Sequence, residues 1–177
     1  MRDVDKPDAR SKAVSMIRLF LAALAALMPL SAAQAEVLAR FYSRDFGSVF
    51  PHTFFEVEGP GVPKKNYGFT AKTVTPAILM GSVAGKIIEM QPGYVARSRH
   101  HFTLRLSDDQ YRRLMGVVAS WGGRKQPSYD LYKANCVSFV RDALHTLEIR
   151  TNPNTRYLGK PKSFLTEVQG LNPGLRP

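Results

Sequence analysis

Residues 129–140 have the sequence YDLYKANCVSFV, which joins a tyrosine-rich connector to a helix that begins at the single cysteine of the chain. From Cys136 to Leu147 the apolar residues recur at helical spacing, which predicts an amphipathic helix packed on a core. Free amides and the helix dipole at a helix start stabilise anions, and a thiolate is an anion. Cys136 is therefore a candidate nucleophile, since the thiolate is the reactive form of cysteine.

The same position also suits an inert cysteine. Cys136 shares one helical stripe with Val140, Ala143 and Leu144. A cysteine that faces a core often serves only as a small apolar residue. The helix position by itself leaves both interpretations open.

Upstream of residue 107 the chain has the composition and alternation of β-strands. Strands are predicted over residues 37–42, 52–58, 67–73, 86–90 and 102–106, with loops at 59–65 and a turn at 91–93. Residues 75–84 are compatible with either a helix or a strand.

Downstream of residue 107 the spacing becomes helical. Ser107 and Gln110 have the capping-box pattern that begins a helix, and Gly122-Gly123 ends it. The last 25 or so residues are expected to be irregular, apart from a helical turn near 163–168. Strands first and helices later predict an α+β domain in which helices pack on an antiparallel sheet.

A thiol nucleophile usually needs a histidine base. His145 lies half a turn round the helix from the cysteine and points away from it. Core packing or a loop role is favoured for His100 and His101, which precede a strand. His52 begins the strand 52–58, and a strand end beside a helix start would hold an exposed pair. His52 is therefore the predicted base.

A third residue should orient the imidazole. Glu56 is four residues from His52, roughly 13 Å along a strand, and cannot reach it. The partner is expected from a neighbouring strand or loop, where Asn66 is the candidate and Thr70 the alternative.

Two segments resemble the halves of a circularly permuted papain-like fold. The first is HTFFEV at 52–57 followed by Tyr67-Gly68-Phe69, and the second is 129–140. The chain resembles the PPPDE thiol peptidases and the lecithin retinol acyltransferase group, which are related in fold to NlpC-type cell-wall peptidases. The resemblance spans roughly residues 52–147 and implies a dyad of Cys136 and His52. No second histidine follows closely, so a Cys-His-His triad is not implied.

Residues 1–35 have the features of a cleavable signal peptide. A basic start precedes an apolar run at 20–30, and Ala33-Gln34-Ala35 has small residues at the cut. The run falls short of the roughly twenty residues that span a membrane, although an uncleaved anchor is the alternative. We expect one mature domain at 36–177, periplasmic or secreted. The formal net charge of +11 favours anionic surroundings, such as peripheral contact with an envelope surface, or only a soluble basic surface.

These features predict an exported cysteine-dependent hydrolase or acyl transferase that acts on an amide or ester carbonyl. Asn135 and Tyr129 are the candidates for holding the oxyanion or positioning the substrate. No metal or other cofactor and no nucleic-acid partner are implied, a monomer is expected, and the suggested substrate is a peptidoglycan peptide. The alternatives are a non-catalytic envelope-binding module on the same fold and a lipid acyltransferase or lipase-like enzyme.

Overall fold

The computed structural model describes residues 36–45 and 50–177, and the predicted signal peptide at 1–35 lies outside them. In the described part of the chain, the strands precede the three longer helices. The strands are β1 (Val37–Arg44), β2 (His52–Gly59), β3 (Val62–Ala71), β4 (Gly85–Ile88) and β5 (Arg99–Leu106). The helices are α1 (Pro92–Ala96), α2 (Asp108–Gly122), α3 (Cys136–Thr146) and α4 (Pro161–Leu171). In this part of the chain, no helix combines the length and apolarity needed to cross a bilayer.

The five strands form one antiparallel sheet in the order β4-β3-β2-β1-β5, so β2 lies at its centre. Side chains alternate between the two faces of such a strand. Phe55 of β2 stacks on Phe139 of α3, with ring centroids 5.5 Å apart. Phe54 packs on the other face, against Tyr42 and Tyr94. The predicted α+β fold, an antiparallel sheet with packed helices, is confirmed.

Three segments differ from the sequence expectation. The predicted loop at 59–65 is wrong, because the chain reverses in a tight turn and β3 already begins at Val62. The turn contains Gly61, whose φ of 73° only glycine adopts freely. The turn near residue 92 continues into the short helix α1. The C-terminal segment forms the full helix α4, because Phe164, Leu165 and Val168 are buried in the core. Residues 75–84 contain a 3-10 helix, Pro76–Leu79.

A β-bulge in β5 places His101 in the core. Phe102 pairs with Phe41 and His100 with Tyr42, which leaves His101 as the extra residue of β5. His101 is buried, and its Nε2 lies 2.8 Å from the hydroxyl of Ser43. Nδ1 lies 3.3 Å from the side-chain oxygen of Gln169, so the imidazole joins the sheet to α4.

The buried His101 is expected to make folding weaker in acid. Burial lowers the pKa of His101 to about 4, whereas an unfolded histidine titrates near 6.5. Between these values the unfolded chain binds more protons, so stability falls as the pH falls, by up to about 3 kcal/mol for this residue. Urea unfolding at pH 7 and pH 5 should show a smaller loss for His101→Gln than for wild type, by about 2 kcal/mol. The exposed His145→Gln is the control, and equal losses in all three proteins would contradict the assignment.

Candidate functional site

Asn135 fixes the start of α3. Its side-chain oxygen accepts hydrogen bonds from the backbone N–H groups of Val137 (2.8 Å) and Ser138 (3.1 Å), as an N-cap residue does. Its side-chain nitrogen donates to the carbonyls of Leu131 (2.7 Å) and Leu158 (2.9 Å). Both ends of the amide are thus occupied by protein groups. Asn135 therefore holds the start of α3. Its amide protons point at these two carbonyls and not at the predicted oxyanion or substrate.

The thiol of Cys136 lies against backbone donors. The N–H groups of Thr53, Val137 and Cys136 itself face the sulfur and favour its thiolate form. Burial acts in the opposite direction and is the larger effect, since Cys136 is only 7% exposed. The net result raises the pKa of Cys136 to about 11, so the resting group at neutral pH is the thiol.

His52 is the first residue of β2, and its imidazole packs on the face of Phe54. Its Nε2 is buried and has no hydrogen-bond partner among the described residues. A Cβ built on Gly68 would lie 2.5 Å from this nitrogen, so only glycine leaves room for the ring. Burial lowers the pKa of His52 to about 4, which leaves the imidazole neutral at pH 7 and makes it a weaker base than an exposed histidine.

Thr53 connects the two predicted dyad members. It follows His52 directly in β2, and its N–H faces the sulfur of Cys136. The start of β2 and the start of α3 therefore meet. The imidazole of His52, however, lies with Phe54 on the face of the sheet opposite α3, so the structure does not bring the two predicted side chains together. In the described part of the chain, no hydrogen bond joins the thiol to the imidazole.

The two candidates for a third residue have different surroundings. Asn66 accepts a hydrogen bond from the backbone N–H of Met90 (2.6 Å) and donates to its carbonyl (3.0 Å). Its amide thus ties β3 to the chain that follows β4. Glu56 pairs with Asn66 across the sheet, and this register continued places Thr70 opposite His52. Thr70 is therefore better placed than Asn66 to orient the imidazole of His52. The side chain of Asn66 has a structural role.

A pocket of about 290 Å³ opens onto the thiol. Its lining consists of Phe50, Pro51, Tyr129, Leu131, Tyr132, Asn135, Cys136, Leu158, Gly159 and Pro161. Tyr129 is nearly buried, and burial raises its pKa to about 12. Its hydroxyl is therefore protonated at neutral pH, and the positioning role of Tyr129 stays a prediction.

A larger cavity, of about 680 Å³, lies on the opposite face of the sheet and does not border Cys136. Glu56 lines it, buried between Lys64 (3.2 Å) and Arg40 (3.5 Å). His100 also lines it, beside Tyr42. Sequence reasoning missed this cluster, because its members come from β1, β2, β3 and β5 and no local pattern joins them.

Removing the cap at Asn135 is expected to destabilise the protein. Asn135→Ala leaves two helix amides and two carbonyls without their partners, which should cost about 2 kcal/mol or more. Urea unfolding measures the loss, and Asn154→Ala, at an exposed asparagine, is the control. Two variants of equal stability would show that the cap does not organise the start of α3.

Comparisons with known proteins support the fold. No family model matches the chain, and no curated protein matches it. Among solved structures, the chain is similar to the type VI secretion system effector TseH, with a TM-score of 0.50 and 13% sequence identity. The likeness covers 78% of this chain and 90% of TseH. At this identity it shows the fold alone, which is the papain-like arrangement that the sequence predicted.

Proposed function

We propose that this protein is a cysteine-dependent hydrolase or acyl transferase that acts on an amide or ester carbonyl. One observation carries the proposal: the sulfur of Cys136 lies in a pocket wall, at a capped helix start, against the backbone N–H of Thr53. The papain-like fold supports a hydrolase of this kind.

The reaction follows from these groups. His52 takes the thiol proton as the sulfur forms a bond to the carbonyl carbon, and the carbonyl electron pair moves to the oxygen. The N–H groups of Cys136 and Thr53 are available to this oxyanion, because Asn135 occupies those of Val137 and Ser138. Collapse of this tetrahedral intermediate breaks the C–O or C–N bond of the substrate, and His52 protonates the leaving group.

The thioester that remains is then attacked by water or by an acyl acceptor. His52 accepts the proton of this second nucleophile, and the thiol is regenerated. His52 begins β2 with its ring on the face opposite α3, so the start of the strand has to rearrange and bring the imidazole to the sulfur for these transfers. Because the resting pair is neutral, proton transfer accompanies attack and does not precede it.

The role of His52 is tested with p-nitrophenyl butyrate and the full chain. Removing a general base should lower kcat/KM by about 10²–10⁴-fold in His52→Ala. His145→Ala replaces an exposed histidine of α3 and should match wild type. Equal rates in His52→Ala and wild type would exclude His52 as the base.

A non-catalytic binding module is the second candidate. The raised pKa of Cys136 and the lowered pKa of His52 favour it, because both describe groups that are uncharged at rest. A binding module would release no p-nitrophenol beyond the Cys136→Ala background.

The proposal includes export to the periplasm or the medium and contact with an anionic envelope surface. The sequence features of residues 1–35 and the net charge of +11 support it. Mass spectrometry of periplasmic and secreted fractions should find a mature chain that begins near Glu36. Full-length chain in the membrane fraction would instead support the anchor.

A further inference from the structure

We infer that the pocket at Cys136 receives an apolar acyl group, so that the substrate is an ester or amide of a medium-length hydrocarbon chain. This inference rests on the proposed function and narrows its substrate from acyl groups in general. The apolar side chains that line the pocket support this inference. Phe50, Leu131, Leu158 and Pro161 supply side chains without a polar atom, and they line the same pocket as the thiol.

The pocket differs from the rest of the molecule in that its described lining residues carry no charge. The chain as a whole is strongly basic. The amide of Asn135 is occupied by protein groups. A carboxylate that entered this pocket would lose water and find no cation, which is unfavourable. An anionic peptide is therefore a poor occupant, and a hydrocarbon chain a good one.

The size of the pocket sets the length of the chain. An apolar cavity of about 150 Å³ is large enough for benzene. A pocket of about 290 Å³ therefore accepts a group of roughly twice that size. An acyl chain of about eight carbons meets this condition when its carbonyl lies at the sulfur.

Two large side chains at the pocket also lack cover. Tyr132 is 67% exposed and Phe50 is 44% exposed. Both belong to the lining, so an acyl chain would bury apolar surface that is otherwise in water.

The test compares p-nitrophenyl esters on the full chain, each corrected for the Cys136→Ala background. The octanoyl ester should exceed the acetyl ester in kcat/KM by about 30-fold or more, because each buried methylene favours binding. The butyryl ester should exceed the hemisuccinyl ester, which has the same chain length and a terminal carboxylate, by about 10-fold or more. Equal or reversed preferences would overturn the inference while turnover itself upheld the proposed function.

Variants place the preference in this pocket. Tyr132→Glu should reduce the octanoyl-to-acetyl ratio at least about threefold, since it removes an aromatic contact and a bound hydrocarbon chain would strip water from the new carboxylate. Met80→Glu is the matched control, because Met80 is 88% exposed and outside the lining. An unchanged ratio in Tyr132→Glu would place the acyl chain elsewhere and overturn the inference.

A binding measurement separates the two claims. Cys136→Ala should bind N-methyloctanamide more tightly than N-methylsuccinamate, with NMR shifts at Tyr129 and Tyr132. Such binding without turnover in wild type would reject the proposed function and keep the pocket assignment. Equal binding of both amides, or of neither, would reject the assignment itself.

Discussion

Cys136→Ala is expected to lower kcat/KM for p-nitrophenyl butyrate by at least about 10³-fold in the full chain, down to the uncatalysed background. The substitution removes the only sulfur that can form the thioester and leaves the surrounding N–H groups and His52 in place. Since the protein has a single cysteine, no second thiol can substitute for it. Release of p-nitrophenol measures the loss.

The variant should fold normally. Cys136 is small and buried, and alanine occupies its position with a loss of about 1 kcal/mol or less. Ser138→Ala is the matched control on the same helix turn, because it removes a hydroxyl that donates to the carbonyl of Lys133 and takes no part in the chemistry. Turnover that persists in Cys136→Ala while its unfolding curve matches wild type would show that the thiol is not the nucleophile.

Phe139→Ala is expected to have the largest effect on stability, a loss of about 3–5 kcal/mol. Phe139 is fully buried between the sheet and α2. Its ring stacks on Phe55 and lies edge-on to Trp121, with centroids 5.5 and 5.6 Å away. Alanine leaves a cavity that these neighbours cannot fill without moving α3 and, with it, the thiol.

Urea unfolding of Phe139→Ala measures this loss, and Tyr132→Ala at an exposed aromatic residue is the control. A whole domain is stable by only about 5–15 kcal/mol, so the variant should be partly unfolded at physiological temperature. A loss below about 1 kcal/mol would mean that α3 is not held on the sheet through this ring.

The sequence predicted the elements with strong local signals. Helical spacing after Cys136 and alternation after His52 are properties of neighbouring residues, and both elements form as expected. The order of strands and helices then led to the correct fold class. The cap at Asn135 was visible in sequence only as a polar residue before a helix, and its two carbonyl partners were not.

Features that depend on register between strands could not be predicted. The bulge at His101 requires β1 and β5 to be aligned. The contact of His52 with Gly68 requires β2 beside β3, although Gly68 already belonged to the noted Tyr-Gly-Phe segment. Asn66 has the residue type of a positioning group, but its amide pairs with Met90, which is 24 residues away.

The pKa of Cys136 in the resting site could not be predicted from the sequence either. A helix start predicts a stabilised thiolate, and the N–H groups at the sulfur act in that direction. Burial outweighs them, because desolvation depends on how completely the sheet and the connector cover the sulfur. The pKa of Cys136 therefore rises where the local pattern alone predicts a fall.

Mass spectrometry of the acyl-enzyme tests the central claim most directly. The full chain is mixed briefly with p-nitrophenyl octanoate, quenched in acid, weighed intact and digested. We expect wild type to gain the mass of one octanoyl group on the peptide that contains Cys136, and Cys136→Ala to gain none. Octanoyl groups found only on lysines, equally in both proteins, would contradict the claim that Cys136 is the nucleophile.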